Sequence, residues 1–223
     1  MPIAREGFRE IALATVLCGV PGAAGIYLAA AGNSWYLLLT PLLAVWVFVL
    51  AFFRDPRRSI PTDAGVLVSP ADGRVTEATR LERCDGFDGP VLKISIFLSV
   101  FNVHVNRMPC GGRIESVTHK PGEFLDARHP ECGVRNESCT AVIAPDDGTP
   151  GPVVVRQIAG LIARRIICHA KSGDHVARGY RYGLIKFGSR TDVILPANKG
   201  LELAVKVGDN VSGGSSIILR RRG

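Results

Sequence analysis

The sequence has no Cys-x-x-Cys pair, no basic–aromatic stripe, and no amphipathic helical pattern longer than about ten residues beyond residue 53. Its six cysteines have spacings that fit neither the disulfide framework of a small secreted domain nor a known zinc knuckle. We therefore predict free thiols and no metal. A zinc site built from Cys132, Cys139 and His129 is the alternative that these residue types leave open.

The charge is positive but is not concentrated in one segment. There are 27 Lys and Arg residues against 20 Asp and Glu residues, a net charge of +7. This excess fits a solvated basic surface, and it equally fits attraction to an anionic membrane face. Without a basic helix or a basic–aromatic stripe, nucleic acid is not an expected partner.

Two long runs near the N-terminus contain no charged residue, residues 11–31 and 34–53. Each is long enough to cross a bilayer as a helix, and only Gly32 and Asn33 separate them. The runs predict a transmembrane helical hairpin within a first domain, residues 1–58. A cleaved signal peptide and a hairpin that enters the bilayer only partway are the alternatives.

The flanks of the hairpin predict its orientation. Basic residues border both outer ends, whereas the short loop between the runs has none. The positive-inside rule then places both ends, and the domain that follows, on the cytoplasmic side of the cell (inner) membrane. Within the first run, Gly19, Gly22 and Gly25 would let two helices approach closely, and Pro21 would kink the helix.

Residues 59–223 have the pattern of a second, β-rich domain. Short apolar runs alternate with Gly, Pro, Asn and Asp turn residues, and one short helix is predicted near residues 122–127. The predicted strands are 66–68, 91–97, 141–144, 153–157, 162–168, 183–187, 192–195 and 201–207.

An internal repeat suggests how these strands are arranged. Residues 173–179 and 208–214 share the pattern Gly-Asp-x-Val-x-x-Gly, which is typical of a tight turn leading into a strand. The pattern resembles the turns of biotinyl/lipoyl-type proteins. The predicted fold is therefore mainly β, a β-sandwich of two duplicated halves.

The pair Gly188-Ser189 lies between two predicted strands, and by itself it is typical of an ordinary turn. Its context is more specific, because five segments occur together and in one order. These are Arg54-Asp55-Pro56-Arg57-Arg58, Ser69-Pro70-Ala71-Asp72-Gly73-Arg74-Val75, Phe101-Asn102-Val103-His104-Val105-Asn106-Arg107, Lys120-Pro121-Gly122 and Phe187-Gly188-Ser189-Arg190-Thr191-Asp192.

These segments resemble the short bacterial and archaeal form of phosphatidylserine decarboxylase, and the resemblance covers essentially the whole chain. It implies an enzyme that converts phosphatidylserine to phosphatidylethanolamine and CO2. It also implies self-cleavage between Gly188 and Ser189, which leaves a heterodimer of residues 1–188 and 189–223. Ser189 would become a pyruvoyl group that binds the substrate amine as a Schiff base.

The chemistry explains why such an enzyme needs a carbonyl cofactor. Loss of CO2 from an amino acid leaves a carbanion, and no side chain is an electron sink for it.

The resemblance implies that Asp72 and His104 assist self-cleavage in an Asp–His–Ser arrangement. The long bacterial form has two histidines three residues apart here, whereas this chain has His104 and then Arg107. Whether His104 serves self-cleavage, decarboxylation or both is left open.

The substrate carboxylate and phosphate need cationic or N–H partners. The candidates are Arg107, Lys120, Arg135 and Arg190. Each of them also fits a plain surface charge.

Two other functions are compatible with parts of the pattern. A membrane-tethered β-sandwich without catalysis, such as an adaptor or a lipoyl or biotinyl carrier, would account for the repeat, but a Met-Lys swinging-arm site is lacking. A pyruvoyl enzyme acting on a soluble amino acid would account for Gly188-Ser189 but not for the hairpin.

Overall fold

A computed structural model describes residues 2–146, 148–161, 165–186, 188–197 and 200–221. The chain divides into two units, Met1–Arg57 and Arg58–Gly223.

The first unit is helical. Two of its segments, Arg5–Ala30 and Ser34–Phe52, are long and apolar enough to cross a membrane by length and composition. The regular helices are α1 (Phe8–Ala14), α2 (Val20–Ala30) and α3 (Pro41–Phe52).

Packing inside this unit follows the glycines and the proline of the first run. Gly19, Gly22 and Gly25 are buried, and a Cβ on Gly22 would lie 2.7 Å from the Leu43 side chain. A π-helical turn, Thr15–Gly19, ends two residues before Pro21. Proline has no N–H to continue the α-helical pattern, and a wider turn absorbs that break.

The second unit is mainly β and is built on antiparallel strands. An eight-stranded curled sheet has the order β13-β2-β3-β11-β7-β6-β5-β9, and two three-stranded sheets have the orders β1-β14-β12 and β4-β10-β8. The strands are β1 (Val66–Val68), β2 (Gly73–Leu81), β3 (Val91–Leu98), β4 (Val105–Arg107), β5 (Gly112–Lys120), β6 (Ser138–Pro145), β7 (Val153–Ile158), β8 (Ile166–Cys168), β9 (His175–Val176), β10 (Arg181–Ile185), β11 (Ser189–Pro196), β12 (Leu201–Leu203), β13 (Asn210–Val211) and β14 (Ile217–Arg221).

Strand β11 lies in the middle of the large sheet, between β3 and β7. Alternation along the strand sends Ser189, Thr191 and Val193 to the face that carries the main apolar core. It sends Arg190 and Asp192 to the opposite face. The two faces therefore give neighbouring residues of one motif different surroundings.

The strand predictions at 66–68, 91–97 and 153–157 are confirmed, but the polar strands β2 and β5 were not predicted. These strands alternate buried and exposed side chains only in part, so their apolar signal is weak. The helix predicted at 122–127 is wrong: that segment is irregular, and the short helix α4 is Cys132–Arg135. Residues 162–164, 187 and 147 lie outside the described residues.

The two Gly-Asp-x-Val-x-x-Gly segments form matching turns at opposite edges of the large sheet, leading into β9 and β13. In each turn the aspartate carboxylate accepts the backbone N–H three residues before it, at 3.0 Å. In each, the first glycine donates its N–H to a carbonyl of the neighbouring strand at 2.8 Å. Both final glycines have positive φ, 77° and 79°. The same local sequence thus makes the same hydrogen bonds twice.

Candidate active site

Ser189 is the first residue of β11, and it is completely buried. Its Oγ has no hydrogen-bond partner among the described residues. Gly188, directly before it, has φ +64°, a left-handed conformation that favours glycine. A buried hydroxyl without a partner is costly in an ordinary turn, so this arrangement is typical of a functional position.

His104 contacts the backbone of Gly188. Its Nε2 is 3.4 Å from the backbone nitrogen of Gly188, and its Nδ1 is 2.9 Å from the carbonyl oxygen of Asn102. Because the Gly188 N–H donates to Nε2, the ring proton belongs on Nδ1, which donates to Asn102. The side chain of Asn102 accepts from both Ser99 N and Ser99 Oγ, which holds this turn. His104 therefore presents an unprotonated nitrogen to the Gly188-Ser189 segment.

A buried row of amides ties the strand after His104 to β11. Asn106 of β4 donates to Thr191 Oγ1 at 3.3 Å, and Gln157 of β7 donates to Asn106 Oδ1 at 2.8 Å. All three side chains are fully buried. Because buried polar groups are held by their partners, this row fixes the spacing between the His104 segment and Ser189.

A cleft of about 350 Å³ opens beside Gly188. Its lining is mostly apolar with one ion pair, and comprises Phe97, Ser99, Val100, Asp126, Ala127, Arg128, Leu161 and Gly188. Gly160 borders the same peptide, and a Cβ there would lie 2.2 Å from the Gly188 carbonyl oxygen. Only a glycine at position 160 lets the chain pass so close to this carbonyl.

Asp72 binds groups other than His104. Both of its carboxylate oxygens accept from Arg58 Nη2, at 2.8 and 2.6 Å, and Oδ1 also accepts from the Gly213 N–H at 2.7 Å. The side chains of Arg58 and Asp72 are each 15% exposed. Asp72 is therefore a tightly held carboxylate, and its role together with His104 stays a prediction.

Arg190 belongs to a buried charge network on the face opposite Ser189. Its guanidinium forms a two-point ion pair with Asp192, at 2.6 and 3.0 Å, and donates to Ser95 Oγ at 2.9 Å. Glu77 lies 3.5 Å away. Burial disfavours the charged guanidinium, but the carboxylate of Asp192 outweighs it, so the pKa of Arg190 is raised. These contacts make Arg190 an anchor of β11.

The other predicted cations are not gathered at the cleft. Arg107 donates to the Gly179 carbonyl at 3.2 Å. Lys120 donates to the Val134 carbonyl and lines a different hollow of the surface. Arg135 is exposed and forms ion pairs with Glu123 and Glu131.

Four residues around the site were missed by the sequence interpretation: Arg58, Phe97, Arg128 and Gly160. Arg58 was noted only as a flanking charge, and Arg128 lies in an irregular segment without periodicity. Their relevance depends on which parts of the chain lie near Gly188, which no local pattern encodes. For a metal, the described residues contain no group of three or more His, Cys, Asp or Glu side chains able to hold one.

Comparison with known proteins identifies the family of this chain. A profile of the family "Phosphatidylserine decarboxylase" matches residues 46–219. Three relatives bear the name phosphatidylserine decarboxylase proenzyme. The protein of Desulfotalea psychrophila is 39% identical over 98% of this chain and 96% of its own length. The proteins of Geotalea uraniireducens (44%; 97% and 95%) and Trichlorobacter lovleyi (45%; 88% and 90%) are similar.

The match takes in Asp72, His104 and the Gly188-Ser189 pair within one continuous alignment, so it covers the whole site described above. A carrier or adaptor without catalysis does not account for it. The chain belongs to the phosphatidylserine decarboxylase family of enzymes.

Proposed function

We propose that this chain cuts itself between Gly188 and Ser189 and uses a pyruvoyl group made from Ser189 to decarboxylate phosphatidylserine. The observation that carries the proposal is the position of His104 Nε2, 3.4 Å from the backbone nitrogen of Gly188, the residue directly before the buried Ser189 with its unpartnered Oγ. A serine hydroxyl is a weak nucleophile until a base takes its proton. His104 is the base available in this geometry.

Self-cleavage proceeds through the atoms of the chain itself. Ser189 Oγ loses its proton to His104 and attacks the Gly188 carbonyl carbon, so that an ester bond forms and the amide C–N bond breaks. Elimination across Cα and Cβ of residue 189 then releases the Gly188 carboxylate and leaves a dehydroalanine. Water adds to that residue, ammonia leaves, and the shorter chain begins with the cofactor.

The residues present fit a pyruvoyl group at position 189. A buried, unpartnered Oγ and a largely apolar cleft at Gly188 give the group a shielded position that a substrate can reach. A pyruvoyl group supplies the electron sink that decarboxylation needs. His104 is the acid that hands a proton to the substrate α-carbon, so one histidine serves both reactions.

Asp72 supports self-cleavage as a fixed negative charge. The segment Pro109-Cys110-Gly111-Gly112 before β5 resembles Pro70-Ala71-Asp72-Gly73 before β2, and it has Gly111 where the latter has Asp72. The turn itself therefore does not require a carboxylate. The two hydrogen bonds from Arg58 fix the orientation of Asp72. We assign it the stabilisation of positive charge that develops as protons move at the site.

The likeness between the two Gly-Asp-x-Val-x-x-Gly turns supports a duplicated, biotinyl/lipoyl-type β-sandwich. Further support comes from Pro70-Ala71-Asp72-Gly73 and Pro109-Cys110-Gly111-Gly112, which lead into β2, the partner of β13, and β5, the partner of β9. The first two residues of β2 pair with β13, and the first two residues of β5 pair with β9. Both β13 and β9 follow a Gly-Asp turn.

The proposal also includes the membrane. The helices Arg5–Ala30 and Ser34–Phe52 anchor the chain in the cell membrane, and the arginine flanks favour a cytoplasmic catalytic domain. An anchored enzyme keeps its site beside the head groups of phosphatidylserine. After cleavage, residues 1–188 and 189–223 stay together, because β11 is hydrogen-bonded to β3 and β7 of the longer fragment.

Intact-mass spectrometry on purified protein tests the proposal. We expect two fragments that meet at Gly188/Ser189, the shorter one lighter than its serine form by one ammonia. Ser189→Ala abolishes cleavage. His104→Gln slows it by roughly a hundredfold or more, as expected for loss of a general base.

His175→Gln is the matched control, because His175 is an exposed histidine paired with Asp146. It is expected to cleave at the normal rate. A folded protein that stays a single chain in detergent or membrane contradicts the proposal. Cleavage without loss of CO2 from phosphatidylserine contradicts the decarboxylation step alone.

A further inference from the structure

The cleft at Gly188 has a cation that the sequence interpretation did not assign, Arg128. Its guanidinium lies over the ring of Phe97, 5.8 Å from the ring centre. Its Nε and Nη2 donate to Asp126 at 3.0 and 2.6 Å, and its backbone N–H donates to the same carboxylate at 2.8 Å. These contacts favour one orientation of the side chain, which reduces the conformational entropy lost on binding.

This orientation leaves donors for a ligand. Nη1 of Arg128 has no acceptor among the described residues, and the side chain is 69% exposed. An exposed ion pair such as Arg128–Asp126 is weak, so it does not exclude a second anion. The planar guanidinium suits phosphate oxygens better than an ammonium group does.

A second arginine, Arg74, also lies beside Phe97. A neighbouring hollow is also lined by Phe97 and Arg128, and it contains Arg74. Arg74 and Phe97 are directly opposite each other on β2 and β3. Two arginines and one aspartate give this part of the surface a net positive charge, which favours an anion.

The chemistry of the substrate requires its phosphate to be close to the cleft. In a phosphoserine headgroup only a methylene and an oxygen separate the α-carbon from phosphorus. If the α-carbon reacts at residue 189, the phosphate lies close to that residue, and Gly188, the residue directly before it, lines the cleft. Arg128 and Gly188 line that cleft, whereas Lys120 lines another hollow and Arg190 is buried among carboxylates.

We propose that Arg128, with Arg74 beside it, binds the phosphodiester of the lipid headgroup and thereby positions the serine part of the substrate at residue 189. This inference rests on the proposed function and names the residue that recognises the phosphate. The apolar lining from Phe97, Val100 and Leu161 then faces the glycerol and acyl end of the lipid.

Calorimetric binding of glycerophosphoethanolamine to the cleaved enzyme tests the inference without turnover, because this compound carries the headgroup of the product. We expect Arg128→Gln to raise its Kd roughly tenfold or more, as for loss of a charge-assisted hydrogen bond. Arg128→Lys restores part of the affinity. Arg80→Gln, which removes an exposed arginine paired with Glu82 at the far end of β2, leaves it unchanged.

Two further ligands show which part of the headgroup Arg128 recognises. Ethanolamine, which lacks phosphate, is expected to bind the wild type and Arg128→Gln equally; weaker binding to the variant would mean a structural role and overturn the proposal. Inorganic phosphate is expected to bind the wild type at least tenfold more weakly than glycerophosphoethanolamine. Equal affinity would make this a site for free phosphate and overturn the headgroup assignment.

The failure of this inference can be told from failure of the proposed function. If the protein cleaves and decarboxylates phosphatidylserine, but Arg128→Gln keeps the wild-type Kd and the wild-type KM for phosphatidylserine micelles, only the Arg128 assignment is wrong. An active wild-type enzyme that does not bind glycerophosphoethanolamine at millimolar concentration also contradicts the Arg128 assignment alone. A chain that never cleaves contradicts the proposed function itself.

Discussion

The carboxylate of Asp72 is held by a single nitrogen of Arg58, whose Nη2 lies 2.8 Å from Oδ1 and 2.6 Å from Oδ2. Arg58 is the last of the basic residues that follow the apolar helices in the sequence. The segment identified as a membrane flank therefore also supplies the partner of the carboxylate proposed for self-cleavage.

Asp72→Asn separates a catalytic charge from a structural one. We expect it to slow cleavage by roughly tenfold or more, because the amide has lost the charge but keeps the shape. Arg58→Gln removes the partner and leaves the charge, so cleavage slows less. Its partly buried ion pair contributes about 1 kcal/mol, and the melting temperature falls by roughly 2–4 °C. Equal cleavage rates in wild type and Asp72→Asn would contradict a catalytic role.

Gly160→Ala tests the close approach to the scissile carbonyl. The new Cβ would lie 2.2 Å from the Gly188 oxygen, so one of the two segments must move. Such overpacking costs about 1–3 kcal/mol, and a displaced peptide is expected to cleave at least roughly tenfold more slowly. Time-resolved intact mass measures the rate.

Gly133→Ala is the control for that substitution. Its Cβ would have no neighbour closer than 3.8 Å, the distance to Arg190 Nη2. We expect unchanged cleavage. A normal rate in Gly160→Ala would show that the peptide next to Gly188 adapts freely.

The Arg190–Asp192 pair is expected to serve stability. Removing one partner leaves an uncompensated buried charge, so Asp192→Asn or Arg190→Met lowers the free energy of unfolding by about 3–5 kcal/mol. The double variant Arg190→Met/Asp192→Leu recovers much of that loss. Urea unfolding of these variants in a Ser189→Ala background, which keeps one chain, gives the values. If an Arg190 variant instead had a raised KM for phosphatidylserine and unchanged stability, Arg190 would be a substrate-binding residue.

Two cysteines in the interior predict a pH-dependent reactivity. The Cys139 thiol donates a hydrogen bond to Cys168, which lowers the pKa of Cys168 despite its burial and raises that of Cys139. A lowered pKa means more thiolate at neutral pH, and the thiolate is the reactive form. The alkylation rate of Cys168 should therefore rise at lower pH than that of an ordinary thiol, whose pKa is about 8.5.

Cys139→Ala removes the donor, so the pH midpoint for alkylation of Cys168 should move upward. Mapping the modified peptides by mass spectrometry follows that residue by itself. Cys84→Ala is the control and should leave the profile unchanged. An unaltered midpoint in Cys139→Ala would contradict the thiol pair as the cause.

Local pattern was sufficient for the helices and for the apolar strands. Uncharged runs of this length favour long apolar helices, and the buried strand β3 is a nearly continuous apolar run. Strands β2 and β5 were missed because their stabilisation comes from cross-strand pairing, which a single segment does not display.

The residues of the candidate site likewise divide into those found from local motifs and those whose surroundings depend on the fold. Ser189, His104 and Asp72 were found by resemblance of motifs, and His104 contacts the backbone nitrogen of Gly188, directly before Ser189. Arg190, only one residue from Ser189, was predicted to bind substrate, yet strand alternation turns it into a buried ion pair on the other face.

The sequence by itself predicted two long apolar helices near the N-terminus, the β-rich character of the remaining chain, the family and the residue that we propose becomes the cofactor. Each of these features depends on contiguous residues or on motifs that can be identified without knowing which residues are neighbours in the fold. Tertiary structure decided which charges surround that residue. Arg128, Gly160 and Arg58 are 61, 29 and 131 positions from Ser189 in the numbering, and only the folded sheet and its loops bring Arg128 and Gly160 to the peptide at Gly188.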